Sequence, residues 1–393
     1  MRLAARMGSI GTETAFEVSA RARALEAQGR SIIHLQIGEP DFDTPDHVRE
    51  AAKRALDAGE THYAPFAGIP ALREAIAEDA AARKGFPVDP AQVFVTVGGK
   101  GVMVYAVLAL VDPGDEVIVP DPGYPIYESL TRFVGATPVP IPIRQEHDFR
   151  LDVDELASLI TPRTRVLVMN SPANPTGGVL TRDDIERIAE LALRNDLVVL
   201  ADEIYGRILY DGAEHVSIAS LPGMAERTVV LDGFSKTFAM TGWRLGYAIV
   251  PAPLAPAYGT LIINTISCVP TFAQVGAVEA LRGPQDAIDA MVTEFRARRD
   301  LVVDGLNAIP GVRCQRPHGA FYVFPDVAGT GLSGAELAHR LLYDAGVCVL
   351  AGTAFGGVGV DHLRISYANS RDNLAEALRR MRALIEPLVA AAV

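Results

Sequence analysis

Cysteine is scarce in this chain of 393 residues. Cys268, Cys314 and Cys348 stand far apart and form no C-x-x-C. That excludes a disulfide framework and a cysteine zinc site as organising features, and a reducing, cytoplasmic setting is expected. Positive charge is in deficit too. Lys and Arg number 36 against 48 Asp and Glu, a net charge of −12, so an electrostatic grip on nucleic acid is not expected. The opening MRLAARMGSIGTETAFEVSA has no apolar core of signal-peptide length, and Glu13 and Glu17 interrupt it. From Leu245 to Val278 charge is absent altogether, yet Pro251, Pro253, Pro256 and Pro270 break the run. A membrane span is therefore excluded, and a buried strand followed by loops is expected there. Walker A, H-E-x-x-H and G-x-S-x-G are all missing, which removes the signatures of NTPases, zincins and α/β-hydrolases. Gly329-Thr330-Gly331-Leu332-Ser333-Gly334 matches G-x-G-x-x-G. Pro325 and Asp326 separate it from the apolar run before it, and the next run ends in glycine, so the dinucleotide fingerprint is incomplete.

What is present is an ordinary globular composition, 49% hydrophobic and 21% charged, long enough for two or three domains. From Thr44 to Val250 helical patterns alternate with short apolar runs. Thr44 is read as an N-cap and Pro45 as the first helical position, with Gly59 as the stop. A second helix is expected from Pro70 to Lys84, and a third from Thr181, with Asp184 in its first turn. Val93–Val97, Glu116–Val119, Arg165–Met169, Leu197–Ala201 and Thr228–Asp232 are short and β-branched, as strands buried on both faces are. Strand–helix alternation implies a mostly parallel sheet flanked by helices, an α/β fold. After about residue 285 the pattern changes to a long charged helix (Ala287–Leu306), FYVFP, a helix at Glu336–Ala345, VCVLA, HLRISY and a last helix. The expected organisation is an N-terminal segment (1–44) packing with the smaller domain, a large domain (45–285) and a smaller α+β domain (286–393).

In such a sheet ligands gather at the carboxyl ends of the strands. Four motifs fall there. Val97-Gly98-Gly99-Lys100-Gly101 joins a strand to a helix start, which suits an anion, although a plain tight turn reads equally well. Asn170-Ser171-Pro172-Ala173-Asn174-Pro175-Thr176-Gly177 is a stiff loop that could aim Asn174 at a ligand or simply turn the chain. Asp202-Glu203-Ile204-Tyr205 ends a buried strand with a carboxylate that needs a cation, or serves as a helix cap. Asp232-Gly233-Phe234-Ser235-Lys236-Thr237, followed by Thr241-Gly242-Trp243-Arg244, places a lysine where desolvation would lower its pKa and make it nucleophilic. The bland alternative is a packed stem with a solvated head.

Taken in order, IGEPDFDTP, YAPFAGIPALREAI, VTVGGK, DPGDEVIV, NSPANPTGG, ADEIY, GFSKTFAMTGWRLGY, GAFYVFP and LRISYA resemble the class I/II aminotransferases, the fold-type I enzymes dependent on pyridoxal 5′-phosphate. The resemblance spans nearly the whole chain. It implies a homodimer with shared active sites. Lys236 would be joined as an imine to the cofactor and then carry the proton. Asp202 would pair with the pyridine nitrogen, and Tyr205 and Asn174 with the ring hydroxyl oxygen. Tyr124 would stack on the ring. Gly99, Lys100, Ser235 and Arg244 would hold the phosphate, with Tyr63 reaching that of the neighbouring subunit. Arg364, assisted by Gly38 and Asn174, would clamp the substrate α-carboxylate.

The activity so implied is transfer of an amino group between an L-amino acid and a 2-oxo acid, 2-oxoglutarate being expected, in ping-pong half-reactions. Aspartate and aromatic amino acids are the two donor classes in view. Lys100 resembles a lysine that bacterial aspartate aminotransferases use near the side-chain carboxylate, whereas Phe16 stands where those enzymes carry a small hydroxyl residue. Elimination, decarboxylation or oxidation on the same fold is the alternative, and a cofactor-binding regulatory module a more distant one. Neither a metal nor a membrane is expected to take part.

Overall fold

The computed structural model describes residues 1–11 and 13–392. Helix α1 (Thr14–Glu26) and strand β1 (Ile33–His34) come first. Helices α2 (Asp46–Asp57) and α3 (Pro70–Arg83) lead into β2 (Val93–Val97), α4 (Gly98–Leu110), β3 (Glu116–Asp121), α5 (Ile126–Phe133) and β4 (Thr137–Pro142). Then follow α6 (Val153–Leu159), β5 (Thr164–Asn170), α7 (Arg182–Arg194), β6 (Val198–Asp202), β7 (Thr228–Gly233) and β8 (Leu245–Ile249). The remainder is α8 (Ala255–Thr265), α9 (Thr271–Arg282), α10 (Asp286–Asn307), β9 (Tyr322–Val323), α11 (Gly334–Arg340), β10 (Val347–Cys348), β11 (Leu350–Ala351), β12 (Leu363–Ser366) and α12 (Arg371–Ala392).

Seven strands form one sheet in the order β2-β8-β7-β6-β5-β3-β4. Only β8 runs against the rest, antiparallel to both β2 and β7. Alternate residues of a strand go to opposite faces. Val166, Val168 and Leu200 join the core beneath α4, with Val102, Met103 and Ala106. Leu167, Met169, Val199 and Ala201 join the core beneath α7, with Ile185, Ile188 and Ala189. Helices on both faces explain why these strands read as unbroken apolar runs. Strand β1 pairs in parallel with β10, and Ala22 and Leu25 of α1 pack on Leu342 and Cys348. The N-terminal segment is thereby tied to the C-terminal part, where β11, β12 and β9 make a small antiparallel sheet.

Several expectations need correction. Thr137–Pro142, TPVPIP, is a strand that the sequence reading passed over. It lies at the edge of the sheet, where proline costs no ladder bond. The charge-free run does begin with a buried strand, β8, but two helices follow it instead of loops. Pro256 falls in the first turn of α8, and Pro270 precedes the first residue of α9, positions where proline starts helices. Thr44 does not cap α2. Its hydroxyl donates to Ala239 O at 2.7 Å and accepts from Trp243 Nε1 at 3.0 Å, and the helix begins at Asp46 with no side-chain cap. The helix expected at Glu336–Ala345 ends as α at Arg340 and continues as a π turn, Leu341–Ala345. Helix α7 begins just after Thr181 as expected, and Thr181 caps it in a reciprocal box with Asp184. No described helix is long and apolar enough to cross a membrane.

Candidate active site

The carboxyl ends of β5, β6 and β7 and the turn from β2 into α4 open on a single cleft of about 590 Å³, a size that admits a cofactor and a small substrate. Asp202 is the last residue of β6 and is 3% exposed. Its carboxylate accepts from Tyr127 O–H at 2.6 Å and from Ile204 N–H at 3.2 Å. Both donors are neutral, and burial pushes the carboxyl up to about 6. A buried acid so placed is a site for a cationic partner. Three residues beyond the end of β7, Lys236 keeps some surface toward the cleft while protein encloses the amine on its other sides. Nζ donates to Gly38 O. Desolvation lowers its pKa to about 8, Glu39 opposes this, and Arg364 and Arg244 add to it.

The loop after β5 is cross-tied. Asn170 donates to Asp202 O at 3.1 Å and accepts from Asn174 N at 2.8 Å. Asn174 is thus fixed over the strand end, facing Arg364, whose Nη1 lies 3.4 Å from Asn174 Oδ1. Tyr205 is buried, with its hydroxyl 2.8 Å from that of Tyr322. Arg364 sits on β12, 4% exposed, its guanidinium 4.7 Å from the ring centre of Tyr322 and 4.9 Å from that of Phe355. It also donates to Gln36 O, and among the described residues its Nε has no acceptor. Burial lowers its pKa, but a guanidinium stays charged, and this one lines the cleft with no carboxylate paired to it among the described residues. Gly38 passes so close to Tyr322 that an added Cβ would overlap the phenol oxygen.

Helix α4 points its N-terminus into the cleft. Val97 supplies no side-chain cap, so the amides of Gly99 and Lys100 are available to an anion. Gly98 has φ +68°, and a Cβ there would lie 2.5 Å from the Arg244 guanidinium. Arg244 and Ser235 line the same end of the cleft. Tyr124, also in the lining, meets Tyr127 edge-on, ring centres 5.8 Å apart. Gly38, Gly99, Lys100, Tyr124, Asn174, Asp202, Tyr205, Ser235, Lys236, Arg244 and Arg364 therefore converge, as expected from sequence. Tyr63 does not line this cleft and is 91% exposed. Phe16 lines its mouth but remains largely exposed.

The aminotransferase class I and II family matches residues 30–381. The chain belongs to that family. As an aminotransferase it is 44% identical to aromatic-amino-acid aminotransferase 2 of Thermococcus litoralis, over 92% of this chain and 93% of that one. It is 45% identical to the arginine–pyruvate transaminase of Pseudomonas aeruginosa, over 93% of each. The solved structure of Thermus thermophilus aspartate aminotransferase with maleate superimposes with a TM-score of 0.93 at 42% identity, covering 98% of this chain and 100% of that one. The aminotransferase fold, a mostly parallel sheet between helices, is the one described above. The family depends on pyridoxal 5′-phosphate. The donors in this aminotransferase cleft fit such a group: an amine of lowered pKa, a buried acid bonded to neutral donors only, and an uncapped helix start beside an arginine.

Four aminotransferase residues escaped the sequence reading. Tyr127 follows Tyr124 by three residues in PGYPIY, the spacing of one helical face. Tyr322 lies within GAFYVFP, a motif quoted above. Glu39, beside Gly38, takes a hydrogen bond from Thr241. Glu13 carried no local signal at all.

Proposed function

We propose that this cleft holds pyridoxal 5′-phosphate at Lys236 and passes an amino group between an L-amino acid and a 2-oxo acid. The observation that carries this reading is the amine of Lys236, with a pKa near 8, in one cleft with the buried carboxyl of Asp202. When bound, the cofactor supplies an aldehyde that takes up an amine and a ring that accepts the electron pair of a broken C–H bond. Lys236 Nζ, its pKa lowered to about 8, would take the proton from the substrate Cα and carry it to the cofactor carbon on the other side of the nitrogen. Asp202 would hold the proton on the ring nitrogen, and Tyr127 orients Asp202. Tyr205 and Asn174 would bond the ring hydroxyl oxygen, and Tyr124 would cover the ring face. The amides of Gly99 and Lys100, with Ser235 and Arg244, bind the phosphate. Arg364 grips the substrate α-carboxylate, with Gly38 and Asn174 fixing its orientation. Its unshared Nε supports that role.

On the same footing, the chain works as a cytoplasmic homodimer in which Tyr63 reaches the partner's phosphate site. Its functional units are the large domain 45–285 and the smaller domain 286–393, with 1–44 attached to the latter. The test is Lys236→Ala in a coupled transamination assay. A fall of at least about 100-fold is expected for loss of a positioned base, with loss of the cofactor's covalent absorbance band. A variant that transaminates at close to the native rate would end the proposal.

A further inference from the structure

Glu13 stands at the N-cap position of α1, yet its carboxylate makes no cap bond to its own helix. It turns into the cleft instead, where it pairs with Lys100 Nζ and accepts from Tyr124 O–H at 2.9 Å. Lys100 lies in the first turn of α4, its ammonium 6.0 Å from the centre of the Tyr124 ring. Lys100 Nζ is an ammonium on the cleft lining that a carboxylate entering there would meet, and its charge is already matched by Glu13. The same cleft is lined by the apolar Ala15 and Phe16 on α1, Ile37, and Met103 on α4, and also by Ser19 and Glu39. Arg23 also reaches the mouth of the cleft, but it is exposed, and water screens it.

Resting on the reading of the cleft given above, we infer that Glu13 is a specificity residue: by holding Lys100 neutralised, it directs both half-reactions to amino and 2-oxo acids with uncharged side chains. A side-chain carboxylate would have to displace Glu13 or lie against it, a built-in repulsion of the kind that discriminates between similar ligands. A cationic side chain would meet Lys100 at the same place. An apolar or aromatic side chain meets neither penalty and covers Phe16. The preferred amino acceptor is then a monocarboxylic 2-oxo acid, in place of the 2-oxoglutarate expected from sequence.

The experiment uses the protein loaded with pyridoxal phosphate and titrates it with two unreactive probes, succinate and 3-phenylpropionate, by calorimetry. In the native chain 3-phenylpropionate should bind at least about tenfold tighter. Glu13→Gln keeps the shape and the Tyr124 bond but removes the charge, and should shift the succinate-to-phenylpropionate affinity ratio at least about tenfold toward succinate. Adding Lys100→Met to that variant should cancel the shift, because the freed ammonium is what the dicarboxylate gains. The ratio of kcat/KM for 2-oxoglutarate over phenylpyruvate should follow the same order. Native preference for succinate, an unmoved ratio in Glu13→Gln, or a shift that persists in the double variant would each overturn the inference while leaving the aminotransferase reading intact. A chain that takes up no cofactor and transfers no amino group overturns both.

Discussion

At the scale of single residues, the lysines are informative because they are so few: Lys53, Lys84, Lys100 and Lys236. Lys53 pairs with Glu50 on an exposed helix face. Lys84 is buried between Glu203 and Asp232, 2.7 and 2.8 Å away, and those carboxylates hold its pKa above the ordinary value. Lys100 is paired with Glu13. Burial lowers the pKa of Lys236 to about 8, so its amine is neutral in a useful fraction of molecules at that pH. Borohydride reduction after incubation with pyridoxal phosphate should therefore label the Lys236 peptide in a mass-spectrometric map. The labelling rate should climb as pH rises toward about 8 and level above it, since a lowered pKa means the reactive neutral form appears earlier on the alkaline side. A rate still climbing steeply beyond pH 9.5, as for an ordinary lysine, would contradict the lowered value. Lys236 and Asp202 were legible in the sequence because a charged residue just past a buried strand poses a solvation problem that chemistry must solve. Tyr127 and Glu13 were not. Each is defined by a partner far along the chain, Asp202 at 75 positions and Tyr124 at 111, and the spacing of Tyr127 from Tyr124 does not tell which group its hydroxyl meets.

At the scale of elements, the decisive unit is the start of α4. It lies against β8, where Gly246 faces the backbone of Gly98 and Gly99; a Cβ at Gly246 would come within 2.5 Å of Gly98 C and 2.6 Å of Gly99 N. Neither contact is with a flexible side chain, so the added atom must push the helix start away from the strand. Gly246→Ala should accordingly weaken cofactor binding by about tenfold or more and lower Tm, the price of overpacking being roughly 1–3 kcal/mol. The check is the dissociation constant for pyridoxal phosphate alongside thermal melting, and unchanged cofactor affinity would mean the phosphate does not sit on this helix. Element identity was largely readable, because buried strands and amphipathic helices differ in apolar period. Two of the failures share a cause, which is proline. In β4 it looks like a strand breaker but occupies an edge, and before α8 and α9 it looks like a loop but begins a helix. Which of these a proline does depends on what lies beside it in space.

At the scale of the whole molecule, the strand–helix alternation made the parallel sheet foreseeable, but not the reversal of β8, which a residue pattern does not encode. Nor does one chain account for its own surface. Tyr63, between α2 and α3, is 91% exposed, and Phe66, Leu108 and Ile263 are 40%, 45% and 52% exposed. Phe66 packs against α8, which carries Ile263, and α8 lies on α4, which carries Leu108, so the apolar groups fall on adjoining elements. Such a surface is the kind that a second copy covers. If it does, Tyr63 leaves its own subunit and enters the neighbouring cleft. Tyr63→Phe then removes one hydroxyl from the partner's phosphate while keeping the ring in the interface. Sedimentation should show an unaltered dimer, and pyridoxal phosphate should bind roughly tenfold more weakly, since a hydrogen bond to a charged group is worth about 1.5 kcal/mol or more. Within a single chain the same change touches nothing in the cleft. An unaltered dissociation constant in a variant that remains dimeric would therefore remove Tyr63 from the shared site and leave it as interface alone.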